Sequence, residues 1–160
     1  MSSPTERRAE NGGTVASTPA ATGLPRPRTG CDLQSVDVVS DAIEHFGTRY
    51  LDRVYTPVEQ ASYATGGAAS LAARFAGKEA VLKLIGTADG VDLRSVEIRT
   101  RDGRPEVHLS GRAAVLAQEA GIDASGIDVS LSHTGDLALA VAVGLHHPPT
   151  SDILDETGSA

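Results

Sequence analysis

The sequence predicts an α+β domain in which a mostly antiparallel sheet packs on a long central helix, and three observations carry that expectation. Residues 71–86 repeat apolar side chains at helical spacing and end on Gly86-Thr87, a natural C-terminal stop. Two alternating runs, residues 95–100 and 105–110, flank Arg101-Asp-Gly-Arg104, a turn sequence suited to a hairpin. Farther on, residues 127–133 alternate strictly and residues 137–143 are wholly apolar, so two more strands follow. Helices and hairpins in this order define the α+β class.

Residues 1–27 are rich in Pro, Gly, Ser, Thr and charge without periodicity and are expected to form a disordered tail. The same holds for residues 147–160, which leaves one domain over residues 28–146. Residues 30–35 alternate as a first strand. Val36, Val39, Ile43 and Phe46 then keep helical spacing up to Gly47. Thr56 can cap the next helix, with Pro57 at its first position and Glu59 completing a capping box, and Gly66-Gly67 ends it. The central helix and the hairpin follow. Ser110 can cap a helix through Ala113, Leu116, Ala117 and Ala120, stopped by Gly121. The apolar run 137–143 should be a central strand covered on both faces. Its alanines, Ala138, Ala140 and Ala142, leave one face thin enough for a helix to approach closely.

Composition narrows the function classes. The chain has 160 residues, 40% of them hydrophobic, without an apolar run that could span a bilayer, so no membrane partner is expected. Its first residues lead into Asn, Gly, Thr and Ala instead of an apolar core, so no secretory signal is expected either. The lone Cys31 excludes an intramolecular disulfide and fits a reducing, cytoplasmic setting. A net charge of −7 argues against a general nucleic-acid binder.

On a helical wheel Glu79 falls inside the core-facing stripe of the central helix, Lys83 borders that stripe, and Lys78 lies near its opposite edge. A carboxylate there costs several kcal/mol to desolvate unless it is compensated. One reading is a surface Glu79–Lys83 pair worth a few tenths of a kcal/mol. The other places Glu79 on a metal or substrate cation in a cleft, with Lys83 neutralising an anion beside it. His133 is in phase with Ile127, Val129 and Leu131, so it should point to the buried face at a strand end. Asp32 sits in a Gly-x-Asp turn or strand start. Oxygen ligands without a His/Cys cluster suit Mg²⁺ over Zn²⁺, and Mg²⁺ takes one or two carboxylates, waters and substrate phosphates. Walker A, Gly-x-Gly-x-x-Gly and Gly-x-Ser-x-Gly patterns are absent. The residues alone therefore point to Mg²⁺-assisted chemistry on a phosphate ester.

Three motifs then fall into a known order: Gly30-Cys31-Asp32, Phe75-Ala-Gly-Lys-Glu-Ala-Val-Leu-Lys83, and Ser132-His133 running into Ala138–Ala140. Over about residues 28–145 the chain resembles the 4′-phosphopantetheinyl transferases, in particular the short holo-acyl-carrier-protein synthase type. Arg53-Val-Tyr-Thr-Pro-Val-Glu59, Gly86-Thr87 and Gly103-Arg-Pro105 support the match. The resemblance implies the 4′-phosphopantetheinyl transferase fold and transfer of phosphopantetheine from coenzyme A to a serine of an acyl or peptidyl carrier protein, releasing 3′,5′-ADP. It implies that Asp32 and Glu79 hold Mg²⁺ against the coenzyme A diphosphate and that Lys83 sits on the phosphates. One carboxylate of the pair, or a water it orients, would deprotonate the serine. Ser132 and His133 would help hold coenzyme A, and Gly86 would let the chain approach it. A homotrimer is implied, with His133 serving a site across an interface.

The chain departs from the family pattern at three positions. Gln34 stands where longer relatives carry a second acid, Ser35 where short members often carry Glu, and Val38 where they often carry Arg. With Asp37, Asp41 and Glu44 the first helix is acidic, which leaves Arg49, Arg53 and Arg74 as candidates for carrier contact. This altered helix supports an alternative function, a non-catalytic or narrowly dedicated relative that binds coenzyme A or a carrier domain.

Overall fold

A computed structural model describes residues 24–148. The expected tails fall mostly outside these residues. The first strand, β1 (Arg26–Ser35), nevertheless starts inside the segment assigned to the N-terminal tail, because Arg26 to Arg28 pair with His146 to Gly144. Helix α1 (Val36–Phe46) has the bounds its spacing predicts; Ser35 caps it and Gly47 leaves it at φ 54°. A short helix, α2 (Thr48–Val54), follows without a side-chain cap, and no sequence signal announced it.

The capping box forms at the head of α3 (Pro57–Ala61), where Thr56 and Glu59 bond each other's backbone N–H. The capping-box helix stops at Ala61, short of the expected Gly66-Gly67 end, and the glycine pair falls inside the central helix α4 (Tyr63–Ile85), where Gly67 (φ 58°, ψ −157°) makes a kink. Gly86 ends it in the left-handed conformation at φ 99°, which glycine adopts without strain. Strands β2 (Val96–Arg101) and β3 (Arg104–Leu109) pair as the expected hairpin. Asp102 and Gly103 both have positive φ, as a two-residue primed turn requires. Helix α5 (Gly111–Glu119) begins after Ser110, whose side chain makes no capping bond, and Gly121 turns the chain away at φ 67°. Strands β4 (Asp128–Thr134) and β5 (Leu137–His146) complete a three-stranded antiparallel sheet in the order β1-β5-β4.

Strand β5 is central, as expected, but the described residues cover only one of its faces. Ala138, Ala140 and Ala142 are fully buried against α4, whereas Leu137, Leu139, Val141, Val143 and Leu145 remain 37–49% exposed. The expectation of two covered faces is thus corrected: among the described residues, no element buries the Leu and Val face of β5. Helix and sheet approach each other closely at Gly30. A Cβ there would overlap the Ala80 carbonyl oxygen and lie 2.7 Å from the Leu84 nitrogen.

The wheel misjudged α4 because this helix is apolar nearly all round and is buried accordingly, so no single stripe defines its inner face. Ala76, Ala80, Val81, Leu84 and Ile85 join one core cluster with residues of the sheet, of β2 and of α5. Glu79 lies half-buried at the rim, and the fully buried charge is Lys78.

Candidate active site

Because β1 packs so closely on α4, Asp32 meets the last turns of that helix. The Lys83 ammonium sits 2.8 Å from Asp32 Oδ1 and donates a second bond to the Cys31 carbonyl at 3.1 Å. Glu79 lies one turn earlier on the same side of α4. Burial raises the pKa of its carboxyl, and the charge of Asp32 raises it further, against a smaller opposing pull from Lys83. The hydrogen bond to Asp32 pushes the Lys83 ammonium above its ordinary pKa, so it is charged at any working pH. Glu79, Leu82, Lys83, Gly86, Thr87 and Ala88 line a hollow of about 320 Å³ beside this cluster. The structure therefore makes Asp32 and Lys83 the ion pair, and the surface reading of a Glu79–Lys83 pair does not describe the site.

Ser132 and His133 do not join this group within one chain. In the sheet register Asp32 is opposite Ala140, while His133 is opposite Ala138 and Ser132 opposite Leu139. His133 thus shares the helix-facing side of the sheet with Asp32, one row away and across β5, and Ser132 faces the other side. The expected burial of His133 is corrected: β4 is an edge strand, its inner face is buried at Ile127 and Val129, half-buried at Leu131 and exposed at His133.

Of the three arginines considered for partner contact, Arg74 is already engaged, bonding Ser70 through its carbonyl and hydroxyl and Thr100 through its hydroxyl. Arg49 and Arg53 are exposed on α2. The buried pair Glu59–Lys78 was missed from sequence, although the Thr56–Glu59 capping box marked one of its members.

Asp32 and Glu79 supply oxygen donors only, and no group of three or more His, Cys, Asp or Glu among the described residues could hold a metal. Two carboxylates, with the Asp32 charge raising the proton affinity of Glu79, fit a hard divalent cation that completes its shell from water and phosphate. The fold and this site define a class, and the comparisons agree. The model of the 4′-phosphopantetheinyl transferase superfamily matches residues 28–142, and the chain belongs to that family.

Its similar relatives carry one name. The holo-[acyl-carrier-protein] synthase of Desulforudis audaxviator is 43% identical over 120 residues, covering 72% of this chain and 90% of that protein. That of Halothermothrix orenii is 35% identical over 119 residues, covering 72% and 94%. The structure is also similar to the coenzyme A complex of the Chronobacterium ammoniagenes enzyme, with a TM-score of 0.65 and 26% identity over 77% of this chain and 98% of that one. Among the described residues, no helix is long and apolar enough to cross a membrane.

Proposed function

We propose that this chain transfers 4′-phosphopantetheine from coenzyme A to a serine of an acyl or peptidyl carrier protein, using Asp32, Glu79 and Lys83. The observation that carries the reading is that Glu79 and Lys83 line one hollow beside Gly86 while Asp32, 47 or more residues away in sequence, pairs with Lys83 at its edge. Asp32 and Glu79 would hold Mg²⁺, which when bound neutralises diphosphate charge and aligns it for in-line attack. The Lys83 ammonium binds the phosphates and stabilises negative charge on the departing 3′,5′-ADP. Glu79, or a water it orients, accepts the serine proton as the serine oxygen bonds to phosphorus and the bond to 3′,5′-ADP breaks. Gly86, without a side chain, lets backbone approach the ligand closely. The lone cysteine supports a cytoplasmic setting.

Glu79→Gln separates catalysis from stability. We expect it to abolish Mg²⁺-dependent transfer while stabilising the fold at pH 7. The sign follows from the raised pKa: the folded state holds this proton more tightly than the unfolded chain does. The penalty for ionising Glu79 is therefore absent below the ordinary carboxylate range, near pH ~4, and complete above the raised pKa. Thermal unfolding of both proteins across pH 4–8 checks this (the gain should vanish at the acid end). Full transfer by Glu79→Gln in Mg²⁺ would refute the assignment.

A homotrimer would cover the open face of β5 and would let His133 and Ser132 of one subunit face the hollow of another. The support is the row of five half-exposed Leu and Val side chains on that face, extended on β1 by Leu33 at 59% exposure. Light scattering at working concentration is expected to give the mass of three chains. A fully active monomer would refute both the trimer and the shared site.

A further inference from the structure

We infer that the buried Glu59–Lys78 ion pair is a positioning device for the transfer reaction, setting the rotation of α4 about its axis so that Glu79 and Lys83 face Asp32. The inference rests on the functional reading above and extends it to two residues that touch neither the hollow nor Asp32. Both side chains are fully buried, with Lys78 Nζ 2.8 Å from Glu59 Oε2. The ammonium also donates to the Leu93 carbonyl at 2.9 Å and to the Val96 carbonyl, which satisfies its three N–H bonds. The Glu59 carboxylate accepts from the Thr56 N–H through Oε2 and from the Ile98 N–H through Oε1, both at 2.9 Å.

One pair thus ties α3, α4, the 3₁₀ turn Leu93–Ser95 and β2 together at a single point. Burial lowers the Lys78 pKa and the Glu59 charge opposes that shift, so the ammonium depends on its partner. Lys78 directly precedes Glu79 and lies five residues before Lys83. Successive helical side chains diverge by about 100°, so anchoring Lys78 in the core fixes where its two neighbours point. On the other side of α4 the Gly30 contact fixes how near Asp32 lies. Apolar packing fixes a helix by shape alone, without directional bonds. A fully satisfied buried pair accepts one orientation only. Apolar replacements of buried pairs are often neutral or stabilising, so a purely stabilising role and a positioning role predict different outcomes.

The test compares the parent with the double variant Glu59→Gln/Lys78→Met in a transfer assay with coenzyme A, Mg²⁺ and a carrier protein. Parental transfer establishes the functional reading first, and a parent that transfers nothing refutes that reading instead of the inference. For the folded double variant we expect kcat to fall about 10–100-fold, the scale of a small misplacement of catalytic groups, with KM for coenzyme A changed less than about threefold. A second readout is independent of turnover. Lys78 and Lys83 are the only lysines of the chain, so amine acylation followed by mass spectrometry reads Lys83 specifically in the variant. Its acylation rate is expected to rise severalfold as the bond to Asp32 loosens. A kcat within about twofold of the parent overturns the inference. If the double variant does not fold, Glu59→Asp decides: it keeps the charge and shortens the reach by one methylene. It is expected to lower kcat at least about fivefold with little change in melting temperature, and parental kcat overturns the inference.

Discussion

Lys83→Ala is expected to lower phosphopantetheine transfer by about 10²–10³-fold, the usual effect of removing one charge-stabilising donor from a site where charge develops. The melting temperature should barely move. The Lys83 side chain is 54% exposed, and its pair with Asp32 lies at the rim of the hollow, where solvent screens such pairs and they contribute little to stability. Lys83→Arg is the stricter variant because it keeps the charge while replacing a compact ammonium with a wider planar guanidinium. It should also lower turnover strongly, since the ammonium reaches both the Cys31 carbonyl and Asp32 from one point. Steady-state kinetics and thermal unfolding of the two variants check this. Near-normal transfer by Lys83→Ala would return the lysine to an ordinary surface pair.

Gly30→Ala is the second large effect, and it acts through backbone packing. The added methyl would collide with the Ala80 carbonyl and crowd the Leu84 nitrogen, so neither side can yield by turning a side chain. Overpacking typically costs about 1–3 kcal/mol, and a clash with backbone puts this one at the upper end. The variant is therefore expected to melt well below the parent, with transfer reduced about 10²-fold at permissive temperature as β1 carries Asp32 away from Lys83. Parental stability together with parental turnover would show that β1 can leave α4 without consequence. The glycine of the Gly-x-Asp motif thus has a physical reason: it sets the distance between the strand that bears Asp32 and the helix that bears Glu79 and Lys83.

Much of this was legible from local rules. The Thr56–Glu59 capping box, the bounds of α1, the Asp102-Gly103 turn and the thin alanine face of β5 each depend on neighbours in sequence, and each formed as expected. Asp32 and Lys83 were singled out by a motif order that records long-range proximity, and the fold places them in contact. The misses depend on what covers each element. The wheel assigned the buried charge to Glu79 because it assumes one covered side, while α4 is covered on several and Lys78 is the side chain enclosed. A wholly apolar strand predicts cover on both faces, although the described residues leave the second face of β5 open. His133 was placed on the correct side of its strand, but periodicity carries no information about where an edge strand outruns its cover.

The acidic first helix bears on partner choice. Asp37, Asp41 and Glu44 are exposed on α1 beside Val38 at 59% and Phe46 at 63% exposure, so its open surface is apolar and negative. The most direct measurement takes this into account by using carrier proteins from fatty-acid, polyketide and peptide synthesis. Each is incubated with the chain, coenzyme A and Mg²⁺, and the intact carrier is weighed by mass spectrometry. The account predicts that at least one carrier gains a single phosphopantetheine on its acceptor serine with release of 3′,5′-ADP, and that Lys83→Ala loses most of this gain. Carriers of unchanged mass throughout would contradict it.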